Sequence, residues 1–348
     1  MNYLSIYNQN IINELTRKRA NETKIGETVS VINNTDNWKE ELKTASAKFV
    51  LIGIPEDIGV RANYGRGGAH TAWKPTLDSF LNQQHNYFLD GSNCLVLGHV
   101  QVEDLLEKAN DLNQKNKSHI DELKKLVTQV DERVYEIIKP IIEANKIPII
   151  IGGGHNNSYP IIKASSIAHA QKINVINCDP HTDFRSLEGR HSGNGFSYAY
   201  NENYLNKYSV FCMHEQYNTN EVISLFQKNK QALYYSTYED VFIRENKTFN
   251  STLNQNIGFV KESVCGVEID LDAITNVPSS AKTSSGISPV QARQYVYQTA
   301  KQLNALYLHI AEGAPILSHI KADNKTGKLI AYLISDFIKG FMDKENEM

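Results

Sequence analysis

The chain has 348 residues, of which 41% are hydrophobic and 22% charged, and a formal net charge of −3. That is the make-up of an ordinary soluble globular protein; it offers no basic footprint for nucleic acid and no polybasic segment for a membrane surface. No apolar run approaches the ~18 residues of a membrane span, and the opening MNYLSIYNQN has neither the basic start nor the apolar core of a secretion signal. A cytoplasmic protein is expected. Cys94, Cys178, Cys212 and Cys265 are scattered without CxxC spacing, which reads as buried free thiols rather than disulfides or zinc ligands.

The length would allow two or three domains, large α/β sheets being the usual exception. Residues 1–47 are polar, with an amphipathic opening (Leu4, Ile11, Ile12, Leu15), and read as an N-terminal extension packed on the main domain. At Lys48 the text changes. KFVLIGIPEDIGV is an apolar strand running into an acidic loop, followed by a glycine-rich loop and a helix in GRGGAHTAWKPTLDSFLN. Residues 118–146 place apolar side chains at helical spacing and predict a long helix. IPIIIGGGH is a strand ending in glycines, NNSYPIIKASSIAHAQK a helix, and INVINCDPH a further strand. After a Gly/Ser/Asn-rich loop at 189–197, YSVFCMH is a strand, TNEVISLFQKN a helix, and ALYYSTYED a strand or turn. SVCGVEIDLDAI (strand), SPVQARQYVYQTAKQ (helix), ALYLHIAEGAP (strand) and AYLISDFIKGFM (helix) complete the chain.

Strand and helix alternate, and the strands are nearly continuous apolar runs, the mark of a parallel sheet covered by helices on both faces. No proline-rich or charged linker interrupts residues 48–348. One α/β domain is therefore expected there, a three-layer αβα arrangement on a mainly parallel sheet of roughly eight strands. In such sheets ligands bind beyond the carboxyl ends of the strands. Five polar clusters follow apolar runs at those ends: PEDIGVRANYGR, GGGHNN, DPHTDFR, EIDLDA and HIAEGAP.

Within DPHTDFR, Asp179, His181 and Asp183 alternate and would face one side of an extended segment. Two carboxylates and an imidazole suit Mn²⁺, Fe²⁺ or Zn²⁺; a solvated loop with Asp183 as a helix N-cap is the plainer alternative. Asp270 and Asp272 repeat the spacing at the end of another strand, with Glu268 on the same face. Three acids on one face of a buried strand repel unless a cation offsets their charge. His155 closes the GGGH turn, where glycines let the backbone approach a site closely. Together, His155, Asp179, His181, Asp183, Asp270 and Asp272 supply four carboxylates and two imidazoles, too many for one ion and suited to two that share carboxylates. Two ions about 3.5–4 Å apart lower the pKa of a water between them and yield hydroxide at neutral pH. Metal-assisted hydrolysis is the expected chemistry.

These residues resemble the ureohydrolase superfamily, which includes arginase, agmatinase and formimidoylglutamase. Its GGxH, DAHxDxR and SxDxDxxDP segments stand here as Gly152–His155, Asp179–Arg185 and Glu268–Asp272, in the same order. The resemblance implies an arginase-like fold and two Mn²⁺ ions per chain, other divalent transition metals remaining open. It implies that His155 and Asp183 terminate one side of the centre and His181 the other, with Asp179, Asp183 and Asp270 among the candidate bridges. It also implies that a metal-bridging hydroxide attacks the amidine carbon, with Asp183 orienting it and taking its proton. Glu312, in HIAEGAP against the family's DxxExNP, would pair with the amidinium of the substrate. A trimer or hexamer is implied as well.

Departures from the pattern bear on the substrate. Arginases carry a histidine proton shuttle in an SGNxH loop; here Ser192-Gly193-Asn194-Gly195-Phe196 puts phenylalanine in that place, as in the SSGTPF-type loop of formimidoylglutamases, and His191 lies earlier in the chain. Gly59–Ala69, GVRANYGRGGA, looks like the GVRxNxGRxGA run of formimidoylglutamases, and Tyr217–Asn220 adds a weaker likeness. Formiminoglutamate carries two carboxylates, so Arg61, Arg66, Arg185 and Arg190 are candidate substrate contacts, and Asn194 is added from its loop. Pro180 replaces the usual alanine, Glu268 a serine, and Thr275-Asn276 an Asp-Pro; no role is read for Glu268. The expected function is hydrolysis of N-formimino-L-glutamate to L-glutamate and formamide. The alternatives are an arginase, an agmatinase or another guanidino-compound hydrolase, or a non-catalytic relative.

Overall fold

Runs such as FVLIG at 49–53 and IPIII at 147–151 are apolar at successive positions because helices cover both faces of the strands they form. The computed structural model describes residues 3–318 and 324–347; residues 1–2 of the extension, and 319–323 and 348 of the expected domain, lie outside it. Its strands are β1 (Leu4–Ile6), β2 (Phe49–Gly53), β3 (Cys94–Val100), β4 (Ile147–Ile151), β5 (Ile173–Cys178), β6 (Leu205–Met213), β7 (Leu233–Thr237), β8 (Val264–Asp270) and β9 (Asn304–Ala311). They form one sheet in the order β1-β3-β2-β4-β9-β8-β5-β6-β7. Every pairing is parallel except β1 with β3.

Alternate side chains of β2 enter opposite cores. Phe49 and Leu51 join Trp73, Ile257, Tyr295 and Phe337 on one face, under the helices Trp73–Leu81, Phe249–Val260, Pro289–Gln302 and Lys325–Glu347. Val50 and Ile52 join Leu42, Val127, Ile161 and Phe226 on the other, under Trp38–Thr44, Lys117–Glu143, Ser158–Ala168 and Asn220–Lys228. The three-layer parallel architecture is as expected, with nine strands among the described residues in place of about eight. The N-terminal segment does more than pack on the sheet: its β1 adds the antiparallel edge strand. All four cysteines are buried and free. Among the described residues, no helix is long and apolar enough to cross a membrane.

The strand order matters most for function. It sets β4, β9, β8 and β5 side by side in the middle of the sheet, so the loops after these four strands meet above their carboxyl ends. The layer beneath depends on large buried rings such as Phe337, which packs edge-on against Phe49 at 6.4 Å between centroids. Phe337→Ala should cost about 3–5 kcal/mol of stability, read as a lowered midpoint in urea denaturation.

Candidate metal centre and its cleft

The first loop is built around glycine. After β4, Gly152 and Gly153 adopt φ of +88° and +76°, and a Cβ on Gly153 would fall 2.2 Å from Asn157 Nδ2. The turn wraps a fully buried carboxylate, Glu56, from the loop after β2. Its Oε1 accepts from Gly154 N at 2.8 Å and Asn157 Nδ2 at 2.7 Å, and its Oε2 from Ile58 N at 2.7 Å. Glu56 thus ties two active-end loops together and fixes where His155 starts. After β5, Asp179 Oδ1 accepts from His181 N at 2.7 Å; after β8, Asp270 Oδ1 accepts from Asp272 N at 2.7 Å. The same local turn thus recurs at both D-x-H/D pairs. Asp183 and Glu312 hold left-handed φ of 44° and 64°, a strain of order 1–3 kcal/mol each that persists only where the surroundings dictate it.

These loops bring the six expected ligands together. His155 Nδ1 lies 3.1 Å from Asp179 Oδ2, 3.0 Å from Asp183 Oδ2 and 3.3 Å from Asp270 Oδ2, with Asp179 and Asp270 buried and Asp183 mostly so, yet it makes no hydrogen bond. Octahedral donors at about 2.1 Å from a cation are about 3 Å from one another, so this spacing fits an ion better than a web of proton-mediated contacts. A second group comprises His181, Asp270 and Asp272, and Asp179 turns its Oδ1 toward His181 Nδ1 at 3.4 Å. Asp270 therefore belongs to both groups and Asp179 faces both imidazoles, whereas Asp183 belongs to the His155 group alone. Carboxylate and imidazole donors of this kind suit Mn²⁺, Fe²⁺ or Zn²⁺.

Crowding shows in the titration of these groups. Burial, then the charges of Asp272 and Asp179, pushes Asp270 well above the usual carboxylate range. Burial and Asp179 raise Asp183, and burial raises Asp272. Burial opposes the charge on His181, but Asp179, Asp183 and Asp272 lift it to about 10. Glu312 is pushed up to about 8, by burial first and the charge of Asp272 second.

The centre opens into a cleft of about 390 Å³ whose wall includes His181, Asp183, Asp270, Asp272 and Glu312. Glu312 Oε1 accepts from His155 N at 2.9 Å, while Oε2 is buried without a hydrogen-bond partner. Toward the mouth stand Arg185 and Asn63, joined at 3.0 Å, with Ser192 and Asn218. The ring of Tyr217 stacks on His181 at 5.3 Å. Arg66 follows the cleft-lining Gly65, and its Nε donates to Ser280 O at 3.1 Å.

Of the expected substrate contacts, Arg61, Arg190 and Asn194 do not line the cleft, and neither does Arg66. Arg61 donates to the carbonyls of Ala109 and Leu112. Arg190 is buried between the rings of Tyr159 and Tyr198, pairs with Asp131 at 2.8 Å and donates to Asn156 O at 2.8 Å. Asn194 is buried too, accepting from Arg190 and donating to Gly189 O at 2.8 Å. All three satisfy the backbone of the loops instead, a demand that buried polar chain always makes. Phe196 stacks on Tyr208 and meets the His155 ring edge-on at 5.1 Å, and His191 is a buried cap accepting from Gly193 N. Several contributors were not singled out from the sequence: Glu56, Asn63, and the 280–281 turn, whose Ala281 N donates to Asp272 Oδ1 at 2.9 Å. For Glu56 the one available signal was an acid placed directly after an apolar strand.

Raised carboxylates and raised histidines share protons that a cation at these donors must displace. Mn²⁺ binding should therefore release protons and strengthen as pH rises from 6 toward 8, which calorimetry in buffers of different ionisation enthalpy will read; proton-neutral binding would contradict the ligand set.

The match to known proteins follows the same lines. The model of the arginase family fits residues 47–339. A formimidoylglutamase of Streptococcus gordonii is 26% identical over 295 residues, 82% of each chain. Among solved structures, formimidoylglutamase from Bacillus subtilis superposes with a TM-score of 0.73 at 16% identity, covering 94% of both chains. A Trypanosoma cruzi formiminoglutamase described with Mn2+2 gives 0.70 at 19% identity, covering 92% of this chain and 99% of that one. The chain belongs to the arginase family, hydrolases of carbon–nitrogen bonds in linear amidines.

Proposed function

We propose that this chain hydrolyses N-formimino-L-glutamate to L-glutamate and formamide, using two manganese ions. The observation that carries the reading is Glu312, whose buried Oε2 completes no hydrogen bond, with the Ser280 hydroxyl beside the carboxylate, and whose side chain lines the cleft beside Asp183 and Asp272. A planar amidinium presents N–H donors in a fixed fork and answers such an oxygen directly. His155, Asp179, Asp183 and Asp270 would hold one ion; His181, Asp270 and Asp272, with Asp179, would hold the other. Bound there, the ions would supply a nucleophile from water at neutral pH.

The chain's own residues do the rest. Glu312, tied to the His155 backbone, anchors the amidinium and sets the formimino carbon above the centre. Asp183 accepts the proton that water loses as its oxygen bonds to that carbon. Asp183 returns that proton to the glutamate nitrogen as its bond to the carbon breaks, and the second hydrogen of the water passes from the new hydroxyl to the released amine as the carbonyl forms, leaving formamide and glutamate with its ammonium group. Arg185, at the mouth of the cleft and half-exposed, answers a substrate carboxylate. Phe196, packed on His155, leaves no histidine in the place where arginases carry a proton shuttle, which favours a formimino over a guanidino substrate. The names of the similar curated proteins support the same choice. A trimer or hexamer and a cytoplasmic location belong to the proposal as implied by the resemblance.

Glu312→Gln should lower kcat/KM by about 10- to 100-fold through loss of a charged hydrogen bond, with manganese content unchanged. On a panel of formimino and guanidino compounds assayed with Mn²⁺, formamide release from formiminoglutamate should dominate. Urea release from arginine or agmatine at comparable rate would replace the substrate with a guanidino compound.

A further inference from the structure

On the side of His155 away from Asp270 lies a second buried polar cluster. Glu268 and His309 are both fully buried and are register partners on β8 and β9. Glu268 Oε2 stands 2.6 Å from His309 Nδ1 and 3.4 Å from His155 Nε2, and its Oε1 accepts from the Tyr307 hydroxyl at 2.8 Å. His309 Nε2 in turn faces Gly152 O at 3.4 Å, in the glycine turn that leads to His155. Alternate residues of a strand are about 6.6–6.8 Å apart. The imidazole of His155 thus lies along β8, with Nδ1 level with Asp270 and Nε2 level with Glu268.

A neutral imidazole carries one proton, and a ring that offers Nδ1 to an ion must keep it on Nε2. That N–H is buried and needs an acceptor; Nε2 makes no hydrogen bond in this structure, and the carboxylate facing it is Glu268, whose Oε2 stands 3.4 Å away. We propose that Glu268, held by His309 and Tyr307, is the positioning residue that sets the tautomer and ring orientation of His155 toward the first ion. The assignment rests on the two-ion reading above.

The donors of His155, Glu268 and His309 also lie close enough to suggest a third ion. Two features argue against it. The 2.6 Å contact between Glu268 and His309 is a direct hydrogen bond, shorter than the about 3 Å between neighbouring donors on one ion. Ligation at Nε2 as well as Nδ1 would further require His155 to lose its only ring proton.

The test uses the full chain, freed of metal and titrated with Mn²⁺. Glu268→Met keeps length and apolar packing but removes the acceptor; Glu268→Gln keeps an acceptor oxygen. The wild type should bind two ions per chain. In Glu268→Met one of the two should weaken by about 10- to 100-fold and the other hold, with Glu268→Gln within a few-fold of wild type. Equal affinities in Glu268→Met and wild type, equal losses in both variants, or three ions in the wild type would each overturn the assignment. Wild-type protein that binds no Mn²⁺ would instead overturn the two-ion reading and this assignment with it. Should Glu268→Met fail to fold, ¹⁵N-histidine NMR of the wild type loaded with diamagnetic Zn²⁺ decides the matter: His155 should carry its proton on Nε2, and a proton on Nδ1 would refute the role.

Discussion

Asp179, Asp183, Asp270, Asp272 and Glu312 are gathered at the ends of adjacent strands where little water reaches, and their mutual repulsion is the constraint to which the surrounding structure responds. Two imidazoles alone do not balance five carboxylates. Backbone N–H groups take part of the load: those of His181, Asp272, Ala281 and His155 each donate to one of the acids. What remains is a set of oxygen and nitrogen donors gathered around two points, those of the His155 group about 3 Å apart, a charge distribution that two divalent cations would complete. Asp270 and Asp179 lie between the two points, so the cations would be held as a pair rather than as separate ions.

Precision at those points comes from polar groups that touch neither ion nor substrate. Glu56 collects backbone N–H groups from the loops after β2 and β4. Arg190 binds the helix residue Asp131 to the chain just after His155. Asn194 spans its own loop. Such residues look functional in a sequence because they are polar and stand in motif-bearing loops. Their physical task is to satisfy buried backbone, so that the ligand side chains meet at fixed distances. Glu268 and His309 extend the same logic to the far side of His155, where the ring's second nitrogen must also be satisfied.

The cleft divides its charge in the same economical way. Its floor is acidic and its mouth holds Arg185 with neutral amide and hydroxyl groups. A substrate cationic at one end and anionic at the other can lie along that gradient.

Much of this was legible from local sequence. Near-continuous apolar runs such as INVINC and IPIII determined that buried parallel strands exist, because period and composition are local properties. The alternation of Asp179, His181 and Asp183, and of Asp270 and Asp272, determined which side chains share a face, since that follows from the pleat alone. Other features lay below the reach of periodicity: β1 is three residues long, and the helix Phe249–Val260 is read from FNSTLNQNIGFV, whose apolar positions are sparse. The tertiary structure alone decided the strand order that sets β4, β9, β8 and β5 together. It alone separated Arg185, which reaches the cleft, from Arg61 and Arg190, which brace loops. It alone turned Glu268 toward His155 and His309. The reason is physical: these outcomes are set by packing and hydrogen bonding between residues over a hundred positions apart in some cases, and no window of sequence contains both partners.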